Sequence, residues 1–258
     1  MNDFLIEAFI LLFGIAVGSF LNCIIYRLSI NETPKGRSYC PKCKHKLSYK
    51  DLIPLFSYIF LFGKCRYCKK KISIEYPLVE LLTGVFFLST FLLVGLSIEL
   101  FFLLIALFFL ILIFVYDLKH YIIPDFANFS LIGISFFYLF LLSFLEKNYN
   151  ILLYGFLSAL FSFIFFFLLF YFTKGKGMGF GDVKFVIFMG LFLGFPNIIV
   201  GLFISFLLGA IIGLVLILIK RKKIKSQVPF APFLIVGSLI AYFYGEKIVD
   251  FYLNYALL

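Results

Sequence analysis

The chain has 258 residues, 64% of them hydrophobic, with 40 phenylalanines and no tryptophan. That composition excludes a water-soluble globule, because more than half of an ordinary protein surface already consists of apolar atoms and a domain of this size cannot hide the remainder. The net charge of +10 resembles that of a nucleic-acid binder, but its placement along the chain excludes that class as well.

A transmembrane helix needs about 20 predominantly apolar residues. Such windows predict spans at roughly 4–26, 77–95, 100–116, 126–145, 151–172, 183–195, 197–219 and 229–244, about eight helices in an all-α polytopic membrane protein. The first span carries Asp3 and Glu7 where a secretory signal has a basic flank, and its apolar run is longer than a signal core, so it reads as a retained helix. The sixth is short and runs through Phe195-Pro196-Asn197 into the seventh, the pattern of a tilted or partly re-entrant segment. With the N-terminus outside, the inward segments are 27–76, 117–125, 173–182 and 220–228. Counting Lys184 with the third, these hold 21 of the 23 Lys and Arg, and only Lys147 and Lys247 fall outside. This asymmetry orients the chain by the positive-inside rule and explains the charge with no nucleic-acid partner.

The one substantial polar segment, 27–76, follows the first span as an insert, ahead of a membrane core over 77–258. It contains Cys40-x2-Cys43 and Cys65-x2-Cys68. Each pair can bind one face of Zn²⁺, and the stretch between them folds the second pair back to close a tetrahedral four-cysteine shell. Lys and Arg crowd both pairs, which favours the thiolates a metal needs, and a closed shell makes the metal structural. Two disulfides or a redox-active pair fit poorly with a segment that the charge rule places in the cytoplasm. His45 is left out because four cysteines complete the shell, and Cys23 lies inside the first span as a packing residue.

Three carboxylates stand at membrane ends. Asp117 follows "LILIFVY", Asp125 follows in "IIPDF", and Asp182 ends "KGKGMGFGD". Two carboxylates within hydrogen-bond reach share one proton. The ionised member takes a proton from water while the protonated one polarises a peptide carbonyl, which is peptide hydrolysis without a metal. The glycines before Asp182 allow close approach of a bound chain, let the loop move so that Asp182 reaches its partner, and permit positive φ. Each aspartate also has a plainer role: Asp182 as the N-cap of the sixth span, Asp125 as the cap of the fourth, Asp117 as an interfacial charge. Residue chemistry leaves open which two of the three form a pair.

Five stretches then carry a resemblance, in this order: "GSFLNCIIYRL"; the paired cysteines "CPKC" and "CRYC"; the segment around them, "IPLFSYIFLFGKCRYCKKKISIEYPLVELLTG"; "YDLKHYIIPD"; and "GMGFGDVK". Together the chain resembles the type IV prepilin peptidases of the GxGD aspartic protease group. The resemblance implies Asp117 and Asp182 as the catalytic pair, with Gly179, Gly181 and Lys184 in the supporting loop and Asp125 in a structural role. It implies cleavage of the basic leader of pilin-like precursors, after glycine, at the cytoplasmic face of a bacterial inner membrane. It further implies N-methylation of the new terminus from S-adenosylmethionine, with Asn22, Arg27 and Glu80 as candidates for the methyl-transfer or substrate region. Two positions depart from the pattern: Ala231 stands where the family has glycine, and Cys23 where it has an aliphatic residue. A proton-coupled transporter is the rival class; it wants ionisable groups near the midplane and an internal repeat, and it leaves the cysteine pairs unexplained. Neither the particular substrate nor the oligomeric state is written in the chain.

Overall fold

The computed structural model describes residues 2–219 and 228–256, and among these every regular element is a helix. In chain order they are α1 (Asn2–Ser29), a single 3-10 turn (Tyr49–Asp51), α2 (Phe56–Phe60), α3 (Glu75–Val94), α4 (Ile98–His120), α5 (Asp125–Leu145), α6 (Tyr149–Phe172), α7 (Phe180–Leu193), α8 (Asn197–Leu218) and α9 (Ala231–Ala256). Seven of them, α1, α3, α4, α5, α6, α8 and α9, are long and apolar enough to cross a membrane. The remaining expected span, the sixth, is α7, whose 14 residues reach about 21 Å, short of a bilayer core of about 30 Å.

The chain divides into two compact units, 1–112 and 113–258, with the boundary inside α4. In the first unit α1 packs along α3. The approach is close because Gly18 has no side chain: a Cβ there would sit 2.7 Å from the Glu80 Cα, the small-residue contact by which membrane helices gain van der Waals energy. In the second unit α7 lies among α5, α6, α8 and α9. Val183, Phe185, Val186, Phe188 and Met189 are all fully buried. A helix apolar on every side is an interior helix, so α7 is enclosed by protein instead of spanning lipid alone.

Two boundaries differ from the expectation. The last helix runs on to Ala256, past the predicted end at 244, because Glu246, Lys247 and Asp250 end the apolar window without breaking the backbone pattern. Asp117 lies inside α4, with Lys119 and His120 in the last turn. The basic segment expected at 220–228 lies, apart from Val228, outside the described residues.

Candidate active site

Asp117 belongs to the last turns of α4 and Asp182 to the first turn of α7. Both are buried, at 4% and 8% exposure, and the Asp117 charge acts directly on Asp182. The local structure explains their meeting. The segment after α4 folds onto the start of α7, with Ile123 against Gly181 and Asp125 ion-paired with Lys184. Lys184 also lies 5.7 Å over the rings of Phe129 and Phe180. Asp182 is held from behind: its Oδ2 accepts the Gly179 N–H at 3.2 Å. Asp117 accepts the N–H of Ala231, the first residue of α9, where a helix N-terminus favours negative charge. The other Asp117 oxygen, Oδ2, is buried with no hydrogen-bond partner. An unpartnered buried oxygen costs about 1–3 kcal/mol, and such an exception inside a folded core calls for a functional explanation.

Three expectations need correction. Asp125 does not cap α5: Pro124 occupies the cap position, and Asp125 is the first helical residue, with its carboxylate turned to Lys184. Asp182 is not the N-cap of α7 either; Gly179 is, and Asp182 reaches back to it from the third helical position. Positive φ occurs in the glycine loop at Lys174 and Gly175 but not at Gly179 or Gly181. Gly179 has φ −74 and ψ 149, open to most residues, and Gly181 is already helical. What Gly181 supplies is space, since a Cβ there would lie 3.3 Å from Ile123 Cβ.

In the first unit the four Sγ atoms of Cys40, Cys43, Cys65 and Cys68 lie within 4.8 Å of one another, and Cys40 and Cys68 are 4.0 Å apart. Tetrahedral zinc with bonds of about 2.3 Å sets its sulfurs about 3.8 Å apart, so the cluster fits a metal. All five cysteines are free. The two pairs are built alike. Cys40 N–H donates to the His45 carbonyl and Lys44 N–H to that of Cys40; Cys65 N–H donates to Lys70 and Lys69 N–H to Cys65. Lys44 and Lys69 take the same left-handed φ, 58 and 57. Burial pushes the Cys40 thiol up, but the N–H groups of Cys43 and Lys42 and the neighbouring thiols outweigh it and bring it down to about 7. Backbone N–H groups, not the basic side chains expected from the sequence, do most of this. The His45 N–H pulls Cys43 down, yet burial and the charge on Cys40 push it up overall. The Cys40 thiolate thus forms readily, while the Cys43 thiol holds its proton more firmly.

The same unit contains a cavity of about 520 Å³. The three candidates Asn22, Arg27 and Glu80 all line it, as do Ser19, Tyr26, Tyr39 and Tyr76. Asn22 donates to the Tyr76 carbonyl at 2.9 Å. The Arg27 guanidinium donates to the carbonyls of Thr33, Pro34, Lys35, Gly36 and Arg37, so its part is to fold residues 33–37 over the end of α1. Glu80 accepts the Leu55 N–H at 2.8 Å and the Ser19 hydroxyl, and among the described residues it makes no ion pair. The wall's other carboxylate, Asp51, is pushed up by burial, but Arg66, Ser48 and Tyr67 hold it down to about 2. Sequence reasoning missed the tyrosines, which carry no spacing signal, and it read Ala231 as a departure without seeing that its N–H reaches Asp117.

The comparisons with known proteins fall on the same two units. Residues 12–94 match the bacterial peptidase A24 N-terminal domain, and residues 104–214 match the type IV leader peptidase family. A prepilin leader peptidase/N-methyltransferase of Bacillus subtilis is 34% identical over 252 residues, covering 95% of this chain and 97% of that protein. One from Legionella pneumophila is 36% identical, covering 95% and 93%, and one from Pseudomonas aeruginosa 30% identical with the same coverage. No solved structure matches.

Proposed function

The chain belongs to the type IV leader peptidase family, and from that premise we propose a multi-pass inner-membrane aspartic endopeptidase that removes the leader of prepilin-like precursors and then methylates the new N-terminus. The observation that carries the first activity is the buried pair Asp117 and Asp182, one of whose oxygens has no partner. The pair holds one proton. The ionised carboxylate takes a proton from a water as its oxygen attacks the scissile carbonyl, and the protonated one donates to the carbonyl oxygen. When the tetrahedral adduct collapses, the carboxyl that took the water's proton passes it to the departing amine, the other carboxylate takes back the proton of the gem-diol hydroxyl as the carbonyl re-forms, and the pair returns to its starting state. Gly179 leaves the approach to Asp182 free of a side chain, so an extended peptide can pass close by. In this reading the N-terminus is outside and the aspartates face the cytoplasm, which the placement of 21 of 23 Lys and Arg supports. The leader is basic and is cut after glycine.

Zinc is the metal that four thiolates select. Held by Cys40, Cys43, Cys65 and Cys68, it closes the insert and leaves no open position for chemistry. The methyl donor, S-adenosylmethionine, fits the tyrosine-walled cavity in size and lining; when bound it supplies an electrophilic methyl group. Glu80 is the wall carboxylate placed to take the proton from the incoming α-ammonium. Asn22 and Arg27 hold the wall in shape.

The test incubates membranes containing the protein with a prepilin and follows its mass. Loss of the leader is expected from the unmodified chain and none from Asp117→Asn or Asp182→Asn at equal membrane levels. Activity in either variant overturns the pair. Titration of purified protein with S-adenosylhomocysteine should show one site per chain. Failure of the unmodified protein both to bind it and to methylate its product removes the second activity and leaves the first.

A further inference from the structure

The segment between the two cysteine pairs has a feature the proposed chemistry does not use. Residues 52–62 expose an apolar face that is unusual for a polar insert: Phe56 is 56% exposed, Ile59 66%, Phe60 76% and Phe62 87%. Exposed apolar patches of this kind mark contact surfaces.

Three observations identify what they contact. The first is depth. The Leu55 N–H donates to Glu80 at 2.8 Å, and Glu80 stands five residues into α3, about 7.5 Å from its start. The segment therefore lies beside the first turns of a membrane-crossing helix, not beyond its end. At that level α3 exposes Leu78, Leu81 and Leu82, and the two apolar surfaces share one depth. The second is backbone satisfaction, which lipid demands. The N–H groups of Ser57, Ile59, Leu61, Phe62 and Gly63 donate to carbonyls of Ile53, Leu55, Ser57, Ile59 and Tyr58, all within the segment. The third is charge. Lys64 follows directly, Lys69, Lys70 and Lys71 follow the second cysteine pair, and all four are exposed, the arrangement that places an apolar wedge among acyl chains and ammonium groups among anionic headgroups.

We propose that residues 52–62 form an interfacial wedge, with the exposed face of α2 dipping into the acyl boundary of the leaflet at which α1 ends and α3 begins, and the following lysines lying on anionic headgroups. The wedge ties the cysteine insert to the membrane surface independently of any substrate.

The chain has no tryptophan, so Phe60→Trp and Phe62→Trp each create a single reporter at a site with room for the larger ring. The full-length variants are placed in nanodiscs of mixed zwitterionic and anionic lipid without precursor. Blue-shifted emission is expected from both, with about half of it lost to lipids brominated near the glycerol end, as burial of roughly 5–10 Å requires. Iodide should quench little, and removal of anionic lipid should weaken the bromine effect. Emission at the position of tryptophan in water, with iodide quenching and no bromine effect, overturns the proposal. So does protection that appears only when a prepilin is added, which would make the face a substrate dock, or only at high protein density, which would make it a contact between copies.

Discussion

Gly190 offers the sharpest test of how packing in the second unit serves the aspartates. A Cβ on this α7 residue would lie 2.4 Å from the Ala159 Cα, 2.5 Å from its N and 2.7 Å from the Ser158 carbonyl carbon, where ordinary contact begins at 3.4 Å. All three atoms are α6 backbone, so no rotamer change relieves the overlap and the helices must part by about 1 Å. One turn earlier, the Ser162 hydroxyl lies 2.9 Å from the Val186 carbonyl across the same interface, a contact that such a separation opens, although the Ser158 carbonyl of its own helix, at 2.8 Å, remains as an acceptor. Overpacking costs about 1–3 kcal/mol. Asp182 sits on the same helix, and a misplacement of about 1 Å costs about 10²-fold in rate. Gly190→Ala should therefore lower prepilin cleavage about 100-fold at matched protein amounts and lower the melting temperature in detergent. The control is Gly133→Ala on α5, where a Cβ meets nothing within 4 Å; it should gain about 1 kcal/mol of helix propensity and cleave normally. A near-normal rate from Gly190→Ala, or equal losses from both, would refute the link from the α6–α7 contact to the site.

Asp125→Asn should cleave within a few-fold of normal, because its pair with Lys184 is 62% exposed on the carboxylate side and such pairs are worth about 0–1 kcal/mol; loss comparable with Asp117→Asn would move the catalytic role to Asp125. Gly181→Val crowds Ile123 and should slow cleavage about tenfold, the equivalent of 1–2 kcal/mol of strain. Gly179→Val should be milder, since its Cβ makes only ordinary contacts, with Asp182 Oδ2 at 3.5 Å and Gly181 N at 3.9 Å, in backbone open to β-branched residues; the reverse order in initial rates contradicts this account. Elemental analysis should find one zinc per chain, and chelation should expose residues 38–72 to protease while sparing part of the cleavage, because both aspartates lie in residues 113–258. Zinc-free protein with a protease-resistant insert would show that the cysteines need no metal.

The membrane class, the span positions and the two cysteine pairs were legible in the chain because each rests on a local rule. Lipid demands an apolar run of set length, and a tetrahedral ion demands ligand pairs a few residues apart. The enclosed position of α7 was half legible: its 14 residues read as too short, but not as buried. Composition could not separate Asp117, Asp125 and Asp182, each a carboxylate at the end of an apolar run. Tertiary structure divides them. It turns Asp125 outward to Lys184, 59 residues away, and leaves Asp117 buried beside Asp182 with an unpartnered oxygen. It also gives Ala231, a mismatch in the pattern of residues, a contact that does not depend on its side chain, since the group that reaches Asp117 is a backbone N–H that any residue but proline supplies. Pairings of this kind join helices distant in sequence through shape and hydrogen bonding, and no local period or spacing encodes which distant helix a side chain will meet.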